Sequence, residues 1–216
     1  MKSLRIFLAD DHAMLRHGLR LLINSQPDME VIGEASDGRS AVRQALDLRP
    51  DVIVMDVSMP QQNGLQAAEK LMKSYPRAKI LALSRHNESC YIQQFLVTGA
   101  SGYVLKQNDV QELFRAIRVV GEGGIYIDPA IAEKVVGYFH RVSSGRSKNA
   151  RALSEREEQA LQLIAQGYSN KEVAAQLQLS VKTVETHKAH AMKKLDLHGR
   201  IDILRYAMLQ GWLEET

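Results

Sequence analysis

The sequence predicts an α/β fold, a five-stranded doubly wound parallel sheet of strand order 2-1-3-4-5, followed by a small all-α domain with a helix-turn-helix. Two observations predict it. Up to about residue 121, short apolar segments of β character alternate with amphipathic segments of helical period, which is typical of a parallel sheet with helices on both faces. From residue 151 onward the pattern is helical to the end.

The predicted strands are short and mostly apolar, and they are Leu4–Ala9, Met29–Ser36, Val52–Met55, Ile80–Leu83 and Tyr103–Leu105. The helices predicted between and after them are Ala13–Asn24, Arg39–Leu48, Gly64–Ser74, Glu88–Val97 and a last one that ends near Gly121. Pro50 and Pro76 stop the second and third helices, and Gly99 ends the fourth. Asp109 and Glu112 have capping-box spacing and open the fifth.

The chain is predicted to divide into residues 1–124, which hold the sheet, residues 125–150, which join the two domains, and residues 151–216, which are helical. Asp128-Pro129 is an N-cap followed by proline at the first turn, so it predicts a linker helix that runs to about Phe139. The following HRVSSGRSKNAR is polar and basic without periodicity, which is typical of a flexible linker.

Charge and cysteine content narrow the function classes. The net charge is +3, and residues 1–139 and 151–216 each contain as many basic as acidic residues, so the excess lies in the linker. Nucleic-acid binding must therefore be argued from local pattern. One cysteine, no apolar segment of ~20 residues and no signal-peptide pattern predict a reduced cytoplasmic protein with no membrane partner.

Acidic, hydroxyl and basic side chains follow the predicted strands at their carboxyl ends. Asp10 and Asp11 follow the first strand, Asp56 the third, Ser84 the fourth and Lys106 the fifth. In a sheet of order 2-1-3-4-5 the first and third strands are neighbours at the topological switch point, so these side chains should converge in one crevice.

Three converging carboxylates repel one another, and a hard dication such as Mg²⁺ removes that conflict. A metal ion beside a carboxylate predicts phosphoryl transfer to that carboxylate, with Lys106 and Ser84 as partners for the phosphoryl charge. Taken singly, Asp11 could instead cap a helix, Lys106 could be a solvated loop residue and Ser84 a turn residue. The histidines, including His12 and His86, show no metal-type spacing.

The motifs LADDH, DVSMP, LALSRH and GYVLK, in this order, resemble the receiver domain of bacterial two-component response regulators over about Leu4–Gly121. The resemblance implies that Asp56 is the phosphorylated aspartate. It also implies a magnesium site and contacts to the phosphoryl group. The implied magnesium ligands are Asp11, Asp56 and the backbone carbonyl of Ser58, with Asp10 supporting, and the implied phosphoryl contacts are Ser84 and Lys106.

Tyr103 occupies the position of the aromatic switch residue of receivers, although it could also be an ordinary half-buried strand residue. Phe95 departs from the pattern, because this subfamily often has a small residue there. It lies on the fourth predicted helix, next to the surface that such receivers use for partners, which leaves that surface in question.

The C-terminal part contains two capping boxes, Ser154 with Glu157 and Ser169 with Glu172, followed by a third cap at Ser180. The tight turn before Ser180 predicts a helix-turn-helix. The third helix should pack inward with Val184, His187, Ala191 and Leu195. Its outward face carries Lys182, Glu185, Thr186, Ala189 and Lys193, a mixture that suits a DNA major groove or a purely solvated helix.

LSEREEQALQLIAQGYSNKEVAAQL and LSVKTVETHKAHAMKKL resemble the LuxR-type DNA-binding domain, so the whole chain resembles a NarL/FixJ-type response regulator. The resemblance implies a DNA-reading surface on the helix-turn-helix, about Lys171–His190, and a dimer contact on a last helix, Ile201–Gln210. The implied DNA contacts are Lys171, Lys182, Thr183, Glu185, Thr186, Ala189 and Lys193, and the implied dimer contacts are Ile203, Leu204 and Ala207. Glu185 and Ala191 depart from the family's usual lysine and larger aliphatic residue.

The expected function is transcription regulation. A sensor histidine kinase would phosphorylate Asp56 with Mg²⁺, and this would promote a homodimer that binds inverted-repeat double-stranded DNA and contacts RNA polymerase. One alternative is a DNA-binding regulator whose receiver works without phosphorylation. Another is a haloacid-dehalogenase-type phosphatase, but that class resembles D-x-D-x-T, and position 58 is serine rather than the second acid.

Overall fold

The computed structural model describes residues 3–87, 89–143, 153–195 and 197–213, with the backbone alone for residues 89–90 and 138–143. The chain divides into two compact units, Met1–Val135 and Val136–Thr216. Within the described ranges, no helix is both long and apolar enough to cross a membrane.

The first unit is built on a parallel sheet of order β2-β1-β3-β4-β5-β6. Its strands are β1 Leu4–Ala9, β2 Met29–Ala35, β3 Val52–Asp56, β4 Ile80–Ser84, β5 Gly102–Leu105 and β6 Tyr126–Ile127. The predicted order is confirmed for the first five strands, and the prediction of only five strands was wrong. β6 has two residues that pair with Gly102 and Tyr103, too few to produce a periodic signal.

Helices follow the strands, and α6 follows β6 after a short 3-10 turn, Pro129–Ile131. They are α1 Ala13–Asn24, α2 Gly38–Leu48, α3 Gly64–Ser74, α4 Ser89–Val97, α5 Val110–Gly121 and α6 Ala132–Ser143. α6 extends beyond the predicted end at Phe139, and positions 144–150 of the predicted linker lie outside the described residues.

The central strands are buried on both faces, which explains their continuous apolar sequence. Every residue of β3 and β4 is buried, including Asp56 and Ser84 at the strand ends. Each fully buried aliphatic side chain, such as Ile53 or Leu81, contributes roughly 1.5–3 kcal/mol. This core holds the polar residues at the strand ends in fixed positions.

One predicted helix cap differs from the structure. Asp109 does cap α5, since its carboxylate accepts from the backbone N–H of Gln111. The predicted reciprocal bond from Glu112 was wrong, because the Glu112 carboxylate accepts a hydrogen bond from the Tyr126 hydroxyl on β6 instead. A partner distant in sequence therefore takes the glutamate from its local role.

The second unit contains the described helices α7 Glu155–Ala165, α8 Asn170–Leu177, α9 Val181–Leu195 and α10 Arg200–Gln210. Both predicted capping boxes are confirmed, at Ser154 with Glu157 and at Ser169 with Glu172. Gln178 ends α8 in the left-handed region, with φ 55°, and this turns the chain so that Ser180 can cap α9. The helix-turn-helix prediction is confirmed by this arrangement of α8 and α9.

Candidate functional site

Asp56 lies at the carboxyl end of β3 and is only 3% exposed. Lys106, just after β5, reaches across the sheet edge and bridges two carboxylates. Its Nζ is 2.6 Å from Asp56 Oδ2 and 2.7 Å from Asp10 Oδ2. The doubly wound sheet thus brings the ends of β1, β3 and β5 into one buried cluster, as the topology predicts.

The pKa of the Asp56 carboxyl is raised to about 6. Burial is the main cause, because it disfavours the charged form, and the neighbouring Asp10 carboxylate acts in the same direction. The Lys106 ammonium and the Ser58 backbone N–H, which is 3.1 Å from Asp56 Oδ1, act in the opposite direction. The pairing with Lys106 therefore offsets only part of the cost of burying this charge.

Asp11 and His12 complete the cluster at its partly exposed side. Oxygen or nitrogen atoms of Asp10, Asp11, His12 and Asp56 all lie within 4.8 Å of one another. Asp11 Oδ1 lies 2.7 Å from His12 Nδ1, at ion-pair distance. His12, rather than Asp11, occupies the N-cap position of α1, so the structure does not support a capping role for Asp11.

The donor set of this cluster fits a hard dication. Three of its four members are carboxylates, and their ligand atoms lie within 4.8 Å of one another. Oxygen ligands of this kind suit Mg²⁺. His12 was not among the predicted ligands, although the LADDH motif placed it beside them in the sequence.

The loop after Asp56 is held by close packing against α3. The backbone N–H of Gly64 donates to the Val57 carbonyl, and a Cβ atom on Gly64 would lie only 1.9 Å from the Asp56 carbonyl oxygen. Only glycine allows the start of α3 to approach the end of β3 so closely. This contact sets the position of Ser58, whose backbone N–H binds Asp56.

Ser84 lies at the end of β4 and is fully buried. Its Oγ accepts a hydrogen bond of 3.0 Å from the backbone N–H of His86. The His86 ring stacks on Tyr91, and its Nε2 lies 3.1 Å from the Ser58 hydroxyl. His86 therefore links the loops after β3 and β4, a role that its isolated position in the sequence did not indicate.

Tyr103 is fully buried, and its hydroxyl donates to the His86 carbonyl at 2.8 Å. Phe95 on α4 is also fully buried and packs edge-on against the Tyr103 ring, with ring centroids 6.3 Å apart. The Phe95 side chain therefore faces the core rather than the neighbouring partner surface. It occupies the space behind Tyr103 and constrains that ring.

The helix-turn-helix exposes most of the predicted DNA-contacting residues. These exposed residues are Lys171 on α8 and Lys182, Glu185, Thr186, Ala189 and Lys193 on α9. Thr183 is half-buried, and its backbone N–H and hydroxyl both bind the Ser180 hydroxyl, so it serves the cap of α9. Ala191 and Val184 are fully buried beneath the helix.

Charged side chains of α9 already interact with one another and with α7. Lys182 Nζ lies 3.5 Å from Glu185 Oε2, on the exposed face. Lys194 Nζ lies 2.6 Å from the largely buried Glu157 carboxylate, which also belongs to a capping box. The second pair attaches α9 to α7, whereas the first is solvated and easily exchanged for another partner.

The predicted dimer residues lie at different depths on α10. Ile203 and Ala207 are fully buried, whereas Leu204 is exposed. Ile201 and Met208 are exposed as well, and their spacing places them on the same side of the helix as Leu204. The surface that α10 offers to another molecule is therefore Ile201, Leu204 and Met208, here called the α10 stripe.

Comparisons with known proteins agree with both units. Residues 6–118 match the family described as response regulator receiver domain, and residues 151–207 match bacterial regulatory proteins of the luxR family. The oxygen regulatory protein NreC of Staphylococcus carnosus is 41% identical over 98% of this chain and 100% of its own length.

Solved structures are also similar. RcsB of Salmonella enterica serovar Typhimurium, bound to a promoter in the presence of the phosphomimetic BeF3⁻, has a TM-score of 0.81 at 25% identity, covering 97% of this chain and 100% of that one. The response regulator ChrA of a heme-sensing two-component system has a TM-score of 0.54 at 33% identity, covering 99% and 100%. This chain therefore belongs to the DNA-binding response regulators of two-component systems, with a receiver domain followed by a LuxR-type helix-turn-helix domain, as its motifs predicted.

Proposed function

We propose that a sensor histidine kinase phosphorylates Asp56, and that this modification promotes dimerisation and changes DNA binding by the helix-turn-helix. The observation that carries the proposal is the buried cluster at the sheet edge. Asp56 is held between a cation, Lys106, and a backbone donor, Ser58, with Asp10 and Asp11 beside it. Such a site positions one carboxylate and provides charge for an incoming phosphoryl group.

We further propose that Mg²⁺ serves this site, held by Asp11, Asp56 and the Ser58 carbonyl, with Asp10 supporting. Bound there, the ion would neutralise carboxylate charge and coordinate phosphate oxygens. The cluster of three carboxylates, with ligand atoms within 4.8 Å of one another, supports this assignment.

The transfer itself is a displacement at phosphorus. An Asp56 carboxylate oxygen forms the new O–P bond while the N–P bond of a phosphohistidine breaks. The leaving imidazole keeps the electron pair and takes a proton from solvent. Lys106 balances the charge of the phosphoryl oxygens, and the Ser84 hydroxyl donates to one of them once its place beside His86 changes.

The kinase is proposed to dock on α1, because an exposed apolar face there lies next to the acid cluster. Met14, Leu21 and Leu22 are exposed on this helix, and Met14 is 91% exposed. A groove of about 200 Å³ extends from Leu22 to Lys106 between α1 and the start of α5. An apolar helical partner carrying a phosphohistidine fits a surface of this kind.

On DNA, two copies are proposed to meet through the α10 stripe and to read an inverted repeat with α9 in the major groove. Half-sites about one helical turn apart suit two helix-turn-helix units related by a two-fold axis.

RNA polymerase as a further partner and a cytoplasmic location stay predictions. The domain division into residues 1–124, 125–150 and 151–216 is likewise kept as a proposal.

The acceptor is tested by incubating the purified chain with acetyl phosphate and Mg²⁺ and measuring its intact mass. Wild type and Asp47→Asn, which changes an exposed carboxylate, should gain one phosphoryl group that hydroxylamine removes. Asp56→Asn should gain none. Equal labelling of Asp56→Asn would contradict the assignment, and continuous turnover of acetyl phosphate without a labelled protein would indicate an enzyme instead.

A further inference from the structure

The start of the linker helix α6 contacts both loops that carry the phosphoryl-site residues. Asp128, just before the helix, binds the end of β5 and the loop that contains Lys106. Lys134, in the first turn of α6, binds the loop that follows Ser84. These are contacts between segments about 20 to 50 residues apart in sequence, so they hold α6 on two sides of the site.

Asp128 forms the first contact, and it is fully buried. Its Oδ2 accepts from the backbone N–H of Leu105 at 3.0 Å and from the Asn108 side-chain amide, while Oδ1 accepts from Ala130 N–H at 2.9 Å. Leu105 is the residue before Lys106. A buried carboxylate with three donors holds its surroundings rigidly, so Asp128 is a fixed anchor between β5 and the start of α6.

Lys134 forms the second contact, and it is exposed. Its Nζ donates to the backbone carbonyl of Asn87 at 2.6 Å. Asn87 follows His86, whose backbone binds both Ser84 and Tyr103 and whose ring binds Ser58. A rearrangement of Ser84 that displaces His86 would therefore also displace the adjacent Asn87 carbonyl, to which Lys134 is bonded.

α6 leads from one unit to the other. The helix runs from Ala132 to Ser143, and the boundary between the two compact units falls within it, after Val135. A continuous helix transmits a displacement of its first turn along its length, because its hydrogen bonds hold successive turns together. The residues that hold its first turn therefore act on a segment that both units share.

We propose that the hydrogen bond from Lys134 to the Asn87 carbonyl, here called the latch, couples the state of the phosphoryl site to α6, while Asp128 stays in place as the fixed anchor. This inference rests on the proposed phosphorylation of Asp56. When Ser84 and Lys106 turn toward a phosphoryl group, the loop Arg85–Asn87 shifts, the Lys134–Asn87 bond breaks, and the first turn of α6 is released around Asp128. The buried anchor persists because its donors are satisfied within the fold, whereas an exposed bond opens readily.

The test is amide hydrogen exchange of the full-length chain, with and without acetyl phosphate and Mg²⁺, read in peptides that cover 85–87 and 132–143. In wild type, phosphorylation should change the amide exchange rates both in the loop 85–87 and in α6, 132–143. In Lys134→Ala the loop should still respond, but α6 should exchange quickly in both states, so that its response falls about fivefold or more. Glu133→Ala, which changes the exposed neighbour of Lys134, should behave as wild type.

The intact mass distinguishes failure of the proposed phosphorylation from failure of the latch. A protein that gains no phosphoryl group would overturn the proposed function, and the latch with it. A phosphorylated wild type with unchanged exchange in 132–143, or a Lys134→Ala variant whose helix responds as strongly as wild type, would overturn the latch alone.

Discussion

Lys106 Nζ lies 2.6 Å from Asp56 Oδ2, and both side chains are almost completely buried. The same ammonium lies 2.7 Å from Asp10, so the cation is shared by two carboxylates that would otherwise repel each other. Phosphorylation of Asp56 would change the charge that Lys106 faces. The lysine is therefore placed both to assist the transfer and to respond to it.

Removing the Asp56 charge should stabilise the fold at neutral pH. The pKa of Asp56 is raised from 3.8 to about 6, so the native state binds the proton more tightly than the unfolded state does. Stability is lost as the pH rises from about 4 to about 6, by an amount on the order of 2–3 kcal/mol. Asp56→Asn at pH 8 without metal should therefore unfold at a higher urea concentration than wild type.

The pH dependence provides the control for this prediction. The advantage of Asp56→Asn should shrink as the pH falls from 6 to 4, since wild-type Asp56 becomes neutral in the native state over that window. Added Mg²⁺ should stabilise wild type more than the variant. Equal stability of the two proteins at pH 8 would show that the buried carboxylate is not under electrostatic strain.

Lys106→Ala should preserve the fold and abolish the link between phosphorylation and DNA affinity. The sheet is held by apolar burial, whereas Lys106 contributes its charge and a contact between three strand ends. Titration of labelled DNA measures the ratio of DNA affinity between the phosphorylated and the unphosphorylated protein. Acetyl phosphate is used to phosphorylate the variant and wild type to equal stoichiometry. Lys79→Ala, at the opposite end of the sheet, is the control. A ratio in Lys106→Ala equal to that of wild type would exclude this role.

Met14→Lys should distinguish phosphorylation by the kinase from phosphorylation by acetyl phosphate. Met14 is exposed on the proposed docking face of α1, and a charge there should disfavour an apolar partner helix. Phosphotransfer from the kinase should slow by roughly tenfold, equivalent to about 1.4 kcal/mol, while labelling by acetyl phosphate stays unchanged. Val97→Lys, on the exposed end of α4, tests whether any added charge has the same effect. Equal rates of phosphotransfer from the kinase to Met14→Lys and to wild type would show that the kinase docks on another surface.

Glu185→Ala should relax base preference at one position of the DNA site. Glu185 is exposed in the middle of the outward face of α9, and a carboxylate there can accept from the cytosine amino group. Its 3.5 Å pairing with Lys182 is solvated and can be exchanged for a base. Selection from a randomised DNA library measures the preference. Lys193→Ala should instead weaken binding to all DNA sequences alike and lower the slope of log affinity against log salt concentration by about one. A uniform change in the affinity of Glu185→Ala, with the preferred sequence intact, would show that Glu185 reads no base.

The sequence predicted the sheet order and the convergence of Asp10, Asp56 and Lys106, because strand ends of a doubly wound sheet meet at one edge. Contacts made by single side chains between different secondary-structure elements were not predictable. Glu112 binds Tyr126 rather than capping its own helix, and Phe95 turns into the core against Tyr103. Local patterns carry no information about such partners.

Which residues of α10 are buried was equally hard to predict from the sequence. Ile203 and Ala207 are buried while Leu204 is exposed, although all three are apolar. The helix has apolar residues around most of its circumference, so the sequence alone does not indicate which side packs inward. Packing against α7, about 45 residues earlier in the chain, decides which side of α10 is buried.

The central claim, that the state of Asp56 controls assembly and DNA binding, is tested most directly by sedimentation of the full-length chain with operator DNA selected from a randomised library. Acetyl phosphate with Mg²⁺ should convert wild type into a dimer that binds an inverted repeat more tightly than an isolated half-site. Asp56→Asn should sediment identically with and without the phosphodonor. Phosphorylated wild type that stays monomeric and binds half-sites and inverted repeats equally well would contradict the account.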